Sequence, residues 1–171
     1  MSETDNNMDL FGAATGGGMY PKADDMEGKL VLLKPSKIET VPNRFSKEPG
    51  ATQDRAEADT VVWEDDGTFE TFDDMYWSQV AIVGALKRAL KPGNKPFVLG
   101  RLVKLPTKAT KDALKIETAD ELTAARAEWL RKGGKGTEPR GVWVLAEFSP
   151  EDADKARAYL TSLDAFAAPA S

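Results

Sequence analysis

The chain has 171 residues, of which 41% are hydrophobic and 30% are charged, and its formal net charge is −5. This length fits one domain with terminal extensions better than two ordinary domains. The sequence contains no Cys and no His, which excludes disulfide frameworks and thiolate metal sites and removes most metallohydrolases and catalytic triads from consideration.

Signals for export or membrane insertion are not evident in the sequence. No apolar run approaches the roughly 18 residues that a membrane-spanning helix needs. The first residues, MSETDNNMDLF, lack the basic start and the apolar stretch of a signal peptide. We therefore expect a protein that stays in a cytoplasm and has no membrane partner.

The two ends of the chain differ in composition from its middle. Residues 1–20 are polar, acidic and Gly-rich, and such a segment buries too little apolar surface to order itself. A flexible arm is predicted there. One domain is predicted over residues 21–163, and the Ala-rich residues 164–171 form a tail.

Strand-like runs follow the arm. They lie, in chain order, at residues 29–35, 56–63, 68–76, 96–105 and 141–148. The first run is expected to end at Pro35, which leaves a long loop at 36–54. Asp66 and Gly67 predict a tight hairpin turn between the second and third strands. Gly100, inside the fourth run, indicates a bulge or tight coiling of the strand.

Helical spacing marks three further segments. The first is residues 78–90, between the third and fourth strands. An insert at 106–140, between the fourth and fifth strands, contains a helix at 119–132, and a last helix covers 150–163. Five strands with one helix between the third and the fourth predict an OB-fold, a small five-stranded Greek-key barrel that accepts oligonucleotides.

Charge is unevenly distributed along the chain. Residues 1–27 hold six acidic residues and one Lys, and residues 58–79 hold seven acidic residues and no basic one. Residues 84–116 hold nine basic residues and one Asp. A local positive field is therefore compatible with the acidic total. The alternative is a solvated Lys-rich surface that only keeps the protein in solution.

Sequence-tolerant binding of a single strand needs cations for phosphates and flat aromatic faces for bases. Phe45 is the first stacking candidate, because it lies between Arg44 and Lys47 in a Pro- and Gly-flanked loop. The residues selected as phosphate contacts are Lys34, Arg44, Lys47, Arg55, Arg101, Lys104, Lys108 and Lys111.

Large aromatic side chains in strands are more often core residues than base platforms. We assign Trp63, Tyr76 and Trp77 to the core on this ground. Alternation places Val142 and Val144 on the face opposite Trp143. Trp143 is therefore predicted to face outward and to contact nucleic acid.

Two other classes of function remain open at this point. A Mg²⁺-dependent nuclease would need carboxylates, and the candidates are Asp59, Asp65, Asp66, Asp73 and Asp74. Asp65 and Asp66 are already explained by the hairpin turn, and the others follow no recognisable ligand spacing. An OB-fold that binds only proteins is the second alternative. No cofactor and no catalytic residue is expected.

Several short blocks together resemble a known family. They are Asp9-Leu10-Phe11-Gly12, Tyr20-Pro21-Lys22, residues 28–35, residues 58–62, Gln79, residues 99–102, Trp143 with Leu145, and residues 156–160. In these blocks the chain resembles the single-stranded DNA-binding proteins encoded beside replication and recombination genes in phages of actinobacteria. The resemblance covers roughly residues 9–160 and implies an OB-like fold, sequence-tolerant binding of single-stranded DNA and a place in the bacterial host cytoplasm. The helix at 119–132 departs from it.

The arm contains a short apolar segment of its own. Asp9, Leu10 and Phe11 follow Asn7 and Met8, and together they resemble the peptide by which replication proteins dock on the bacterial sliding clamp. A flexible segment with one or two apolar anchors suits such capture. The sequence predicts a partner-binding segment there, with the host clamp or another replication protein as partner. The alternative is an ordinary frayed terminus without a partner. It leaves open a homo-oligomer and the preference between DNA and RNA.

Overall fold

In residues 20–44 and 46–167, which the computed structural model describes, five antiparallel strands form one curled sheet and four α-helices accompany it. Side chains are described up to residue 163. The strands are β1 (Leu30–Pro42), β2 (Thr52–Trp63), β3 (Phe69–Trp77), β4 (Val98–Pro106) and β5 (Gly141–Ala146). The helices are α1 (Val80–Leu90), α2 (Lys108–Leu114), α3 (Ala119–Arg131) and α4 (Pro150–Ala167), and a 3-10 turn covers Ala23–Met26.

The strand order is β3-β2-β1-β4-β5. β1 pairs with β2 along its whole length, and its first four residues also pair with β4. At Gly100 the neighbouring strand β5 approaches closely, because a Cβ there would come within 2.8 Å of the Ala146 carbonyl oxygen. The predicted five strands, the helix between the third and fourth, and a barrel-like curl are thus confirmed.

Several boundaries differ from the sequence predictions. Pro35 does not end the first strand, which continues to Pro42, so the predicted loop at 36–54 shrinks to 43–51. The register of β1 against β2 shifts between Pro35 and Lys37, and such an irregularity accommodates a residue that has no N–H to donate. At Gly100 the structure shows close approach of the backbone and an unbroken register, so the first of the two alternatives there, a bulge, was wrong.

The insert holds two helices where one was predicted. The short helix α2 was missed; Thr107 caps it by accepting a hydrogen bond from the Thr110 backbone N–H. α3 confirms the other prediction, and its Leu122 approaches the backbone at Gly141. The last helix runs to Ala167, four residues beyond its predicted end.

The two faces of the sheet carry different clusters. The inner face and α1 form the main core, with Val31, Leu33, Val62, Met75, Trp77, Ile82, Leu86 and Leu102 buried together. On the outer face a second cluster of Leu30, Leu32, Val61 and Trp63 is covered by α4 through Ala156, Tyr159 and Leu160. The burial of Trp63 and Trp77 confirms their assignment to the core.

The helices are amphipathic rather than uniformly apolar. In the part of the chain that the structure describes, none is both long enough and apolar enough to cross a membrane.

Candidate nucleic-acid interface

Arg101 makes three hydrogen bonds within the fold. Its Nε and Nη2 donate to the two carboxylate oxygens of Asp152 at 3.1 and 2.7 Å, and its Nη1 donates to the Gly28 carbonyl at 3.0 Å. Asp152 is only 3% exposed. The bond from Arg101 lowers the pKa of Asp152 and raises that of Arg101. Three donors of Arg101 are thus bonded within the fold, while 38% of its side chain is exposed. Its selection as a phosphate contact stays a prediction.

Trp143 faces the core. It packs against the inner-face cluster together with Leu145, while Val142 is the exposed neighbour. Val142 and Trp143 point to opposite sides of the sheet, as predicted, but Trp143 takes the inner side. The predicted outward orientation of Trp143 was therefore wrong. The reason is that α1 and the inner face supply an apolar surface that a large ring can cover.

The basic residues at the end of β4 and in the insert lie in another region. Lys104 pairs across the ladder with Trp143, and its Nζ lies 5.4 Å from the centre of that ring. Lys108 and Lys111 are exposed on α2. None of these three joins an ion pair within the described residues. They belong to the end of β4 and to the insert rather than to the β1–β2 loop.

Arg44 and Arg55 are brought together. Both line a depression of about 400 Å³ beside the β1–β2 loop, with Val41, Gln53 and Ser78. Lys47 is exposed in the same loop. Phe45 lies outside the described residues, so its predicted stacking role stays a prediction, as does the role of Asp9, Leu10 and Phe11.

Tyr76 is an exposed aromatic side chain next to Arg55. The Arg55 guanidinium lies 4.1 Å from the centre of its ring, and 49% of Tyr76 is exposed. The assignment of Tyr76 to the core was therefore wrong. The available signal was alternation, because consecutive residues of a strand face opposite sides and Tyr76 and Trp77 could not both face the same core. The structure buries Trp77.

Two carboxylates accompany the cations around Tyr76. Arg55 Nε donates to Glu39 Oε1 at 3.1 Å, and Lys37 Nζ lies 3.3 Å from Glu57 Oε2. The bond from Arg55 lowers the pKa of Glu39, and the contact with Glu57 raises that of Lys37. We call this surface, formed by Lys37, Glu39, Arg55, Glu57 and Tyr76, the hairpin face. Lys37 was not among the predicted residues.

Lys34 lies on the outer face of the sheet, close to the start of β4. It lies opposite Asp59 in the ladder, and its Nζ is 5.9 Å from the centre of the Phe97 ring. Lys34 and Phe97 line a cavity of about 540 Å³ between the sheet and α4, with Asp73 and Tyr159. Burial raises the pKa of Tyr159. Lys34 is therefore a cation with an aromatic neighbour, next to the covering helix.

Two of the acidic residues considered for Mg²⁺, Asp59 and Asp66, accept hydrogen bonds within the fold. Asp66 accepts hydrogen bonds from the backbone and the hydroxyl of Thr68, as expected for the hairpin turn. Asp59 accepts one from the Asp74 backbone N–H. Within the described residues, no three carboxylates converge in a way that would hold a metal ion.

Comparison with known proteins adds no assignment to this geometry. The chain matches none of the protein-family models, curated proteins or solved structures with which it was compared.

Proposed function

We propose that this protein binds single-stranded DNA without catalysis and with little sequence preference, through the hairpin face and the adjacent β1–β2 loop. The observation that carries the proposal is the exposed Tyr76 ring with the Arg55 guanidinium over it. Aromatic rings and planar guanidinium groups are both platforms on which unpaired bases stack. Arg44 lines a depression with Arg55, and Lys47 is exposed in the β1–β2 loop; both are cations for phosphates.

The sheet topology supports this location. β1 pairs with both β2 and β4, and one helix separates β3 from β4, which is the arrangement expected of an OB-like Greek-key barrel that is left partly open. Such barrels bind oligonucleotides on the face of strands 2 and 3 and at the loop between strands 1 and 2. The hairpin face lies on β1, β2 and β3 next to that loop.

Single strands are favoured over duplex by the chemistry of the surface. A base can stack on the half-exposed Tyr76 ring only when it is unpaired and unstacked, whereas the bases of a duplex are already stacked and paired. The cations supply a sequence-independent attraction whose strength falls with salt. On the resemblance of residues 9–160 we place this binding in phage replication or recombination.

The test is fluorescence anisotropy of a labelled oligo-dT with the wild-type protein, Tyr76→Ala and the matched control Tyr76→Phe. Loss of one stacked base costs about 1 to 3 kcal/mol, so Tyr76→Ala should weaken binding roughly 5- to 150-fold. Tyr76→Phe keeps the ring and should stay within about twofold of wild type. A duplex of equal length should bind more weakly, and added salt should weaken all complexes.

Three results would contradict the proposal: no binding of oligo-dT, equal binding of duplex, or an affinity that does not change with salt. Binding to neither nucleic acid would favour an OB-like module that recognises proteins. Cleavage of the oligonucleotide on addition of Mg²⁺ would favour the nuclease alternative.

A further inference from the structure

A further depression lies near β4, on the side of β1 away from β2 and β3. It has a volume of about 320 Å³, and its walls come from α1, the turn after α1, the start of β4 and the chain after β5. The lining residues that matter here are Arg88, Lys95, Phe97 and Phe148. We call these four residues the turn face.

Phe148 is exposed at this site. Its side chain is 49% accessible, the same fraction as that of Tyr76 on the hairpin face. One exposed apolar residue needs no explanation by itself. Here, however, the ring shares a depression with a second aromatic residue and two cations, which is the combination that single-strand binding surfaces use.

The charges of the turn face are not balanced by carboxylates. Among the described residues, no acidic side chain lines the depression, and neither Arg88 nor Lys95 joins an ion pair there. The turn itself is fixed, because Asn94 Nδ2 donates to the Arg88 carbonyl at 2.7 Å. A cation in the last turn of a helix is also favourable toward the helix dipole. The helix dipole accounts for a cation at Arg88, but it does not account for the exposed Phe148 ring or for Lys95 in the same depression.

The turn face is continuous with the outer face of the sheet. Phe97 lines both this depression and the larger cavity that contains Lys34. Lys34 lies near the Phe97 ring and precedes Lys37 of the hairpin face on the same strand. Cations and aromatic rings therefore follow one another from the β1–β2 loop across β1 to β4, with the carboxylates of Asp59 and Asp73 in the cavity beside Lys34.

We propose that the turn face is a second subsite for the same single strand, with a base stacked on Phe148 and phosphates bound by Arg88 and Lys95. This inference rests on the proposed function. It implies that a strand must be long enough to cross β1 before it gains the contacts of the turn face. Short oligonucleotides then report on the hairpin face and long ones on both surfaces.

The test compares oligo-dT of about 4 and about 20 nucleotides, a range that spans the site sizes of OB-folds. Phe148→Ala should weaken binding of the long oligonucleotide about fivefold or more and leave the short one within about twofold. Val142→Ala is the matched control, because Val142 is an apolar residue of similar exposure (47%) on β5. It should change neither affinity.

Lys95→Gln is a second variant that leaves the apolar contacts in place. If Lys95 binds one phosphate, this variant should lower the slope of log affinity against log salt by about 0.7 for the long oligonucleotide. Circular dichroism and a thermal melt establish that each variant is folded.

The outcomes separate the inference from the function on which it rests. If Phe148→Ala and Lys95→Gln bind the long oligonucleotide like wild type while Tyr76→Ala does not, the turn face is not a subsite and the hairpin face remains one. A lower melting temperature of Arg88→Gln with unchanged affinity also contradicts the subsite and assigns Arg88 to the helix dipole. If wild-type protein binds neither oligonucleotide, the proposed function itself fails.

Discussion

The outer face of the sheet has two halves that the same strands build in different ways. In one half Leu30, Leu32, Val61 and Trp63 point outward, and α4 covers them. In the other half the outward positions carry the charged and aromatic residues of the hairpin face, and Tyr76 stays half exposed beneath the Arg55 guanidinium. β1 and β2 contribute to both halves.

The difference shows how a binding surface arises beside a core. Alternation gives every strand an outward row, and an apolar row is stabilised only when another element buries it. Where the outward row becomes charged, nothing is gained by covering it, and the strands remain open to a polar ligand. The carboxylates of the open half pair with its cations, which limits its positive field in the free protein.

The covered half is expected to depend most on Asp152. This buried carboxylate accepts from Arg101 and from the Ser149 backbone N–H, so it links β4 to the start of α4. Asp152→Ala removes the carboxylate partner of the partly exposed Arg101 guanidinium, and the free energy of unfolding should fall by about 1 to 3 kcal/mol. Urea unfolding followed by circular dichroism measures this loss.

The matched control is Asp154→Ala on the same helix. Asp154 pairs with Arg157 on the surface, with both side chains more than 70% exposed, so its removal should cost less than about 0.5 kcal/mol. Equal losses for the two variants would mean that the Arg101–Asp152 bond does not fasten the helix.

The stability difference between wild type and Asp152→Ala should depend on pH. The bond from Arg101 holds the pKa of Asp152 below its ordinary value of 3.8. A carboxylate with a lowered pKa stabilises the fold fully above its ordinary pKa, and the effect is lost as pH falls through the lower value. The difference should therefore stay constant from pH 7 to about 4 and shrink below it. Unfolding measured across this range checks the prediction, and a decline already between pH 7 and about 5 would assign the effect to another group.

The open half is expected to bind DNA more strongly when one of its own carboxylates is neutralised. Glu39→Gln keeps the shape of the side chain but removes the charge that competes with phosphates for Arg55. Affinity for oligo-dT at low salt should rise about two- to fivefold, and the gain should fade at high salt. Anisotropy titrations at two salt concentrations measure it.

Glu128→Gln provides the comparison for this variant. Glu128 pairs with Arg131 on α3, away from the hairpin face, and its neutralisation should alter affinity less. If Glu39→Gln leaves the affinity unchanged, Arg55 does not contact phosphates, and the hairpin face loses its main cation.

Local patterns determined the order of the elements. Five strands, the helix between the third and fourth, and the turn at Asp66-Gly67 were predictable because periodicity, capping and turn residues act over a few neighbouring positions. The short helix α2 was not predictable on this basis, since its seven residues give too little periodicity. Of the candidate surface, the sequence identified Arg44 and Arg55 and missed Lys37 and Tyr76.

What only the tertiary structure decided is which side of each strand is covered and which charges are already paired. Alternation separates Trp143 from Val142 but cannot say which of two apolar rows meets α1. Tyr76 and Trp77 pose the same choice, and the structure buries only Trp77. Likewise, Arg101 lies in the most basic segment of the chain, yet its partner Asp152 is 51 residues away. Charge and alternation are local properties, whereas burial and pairing depend on contacts between distant parts of the chain.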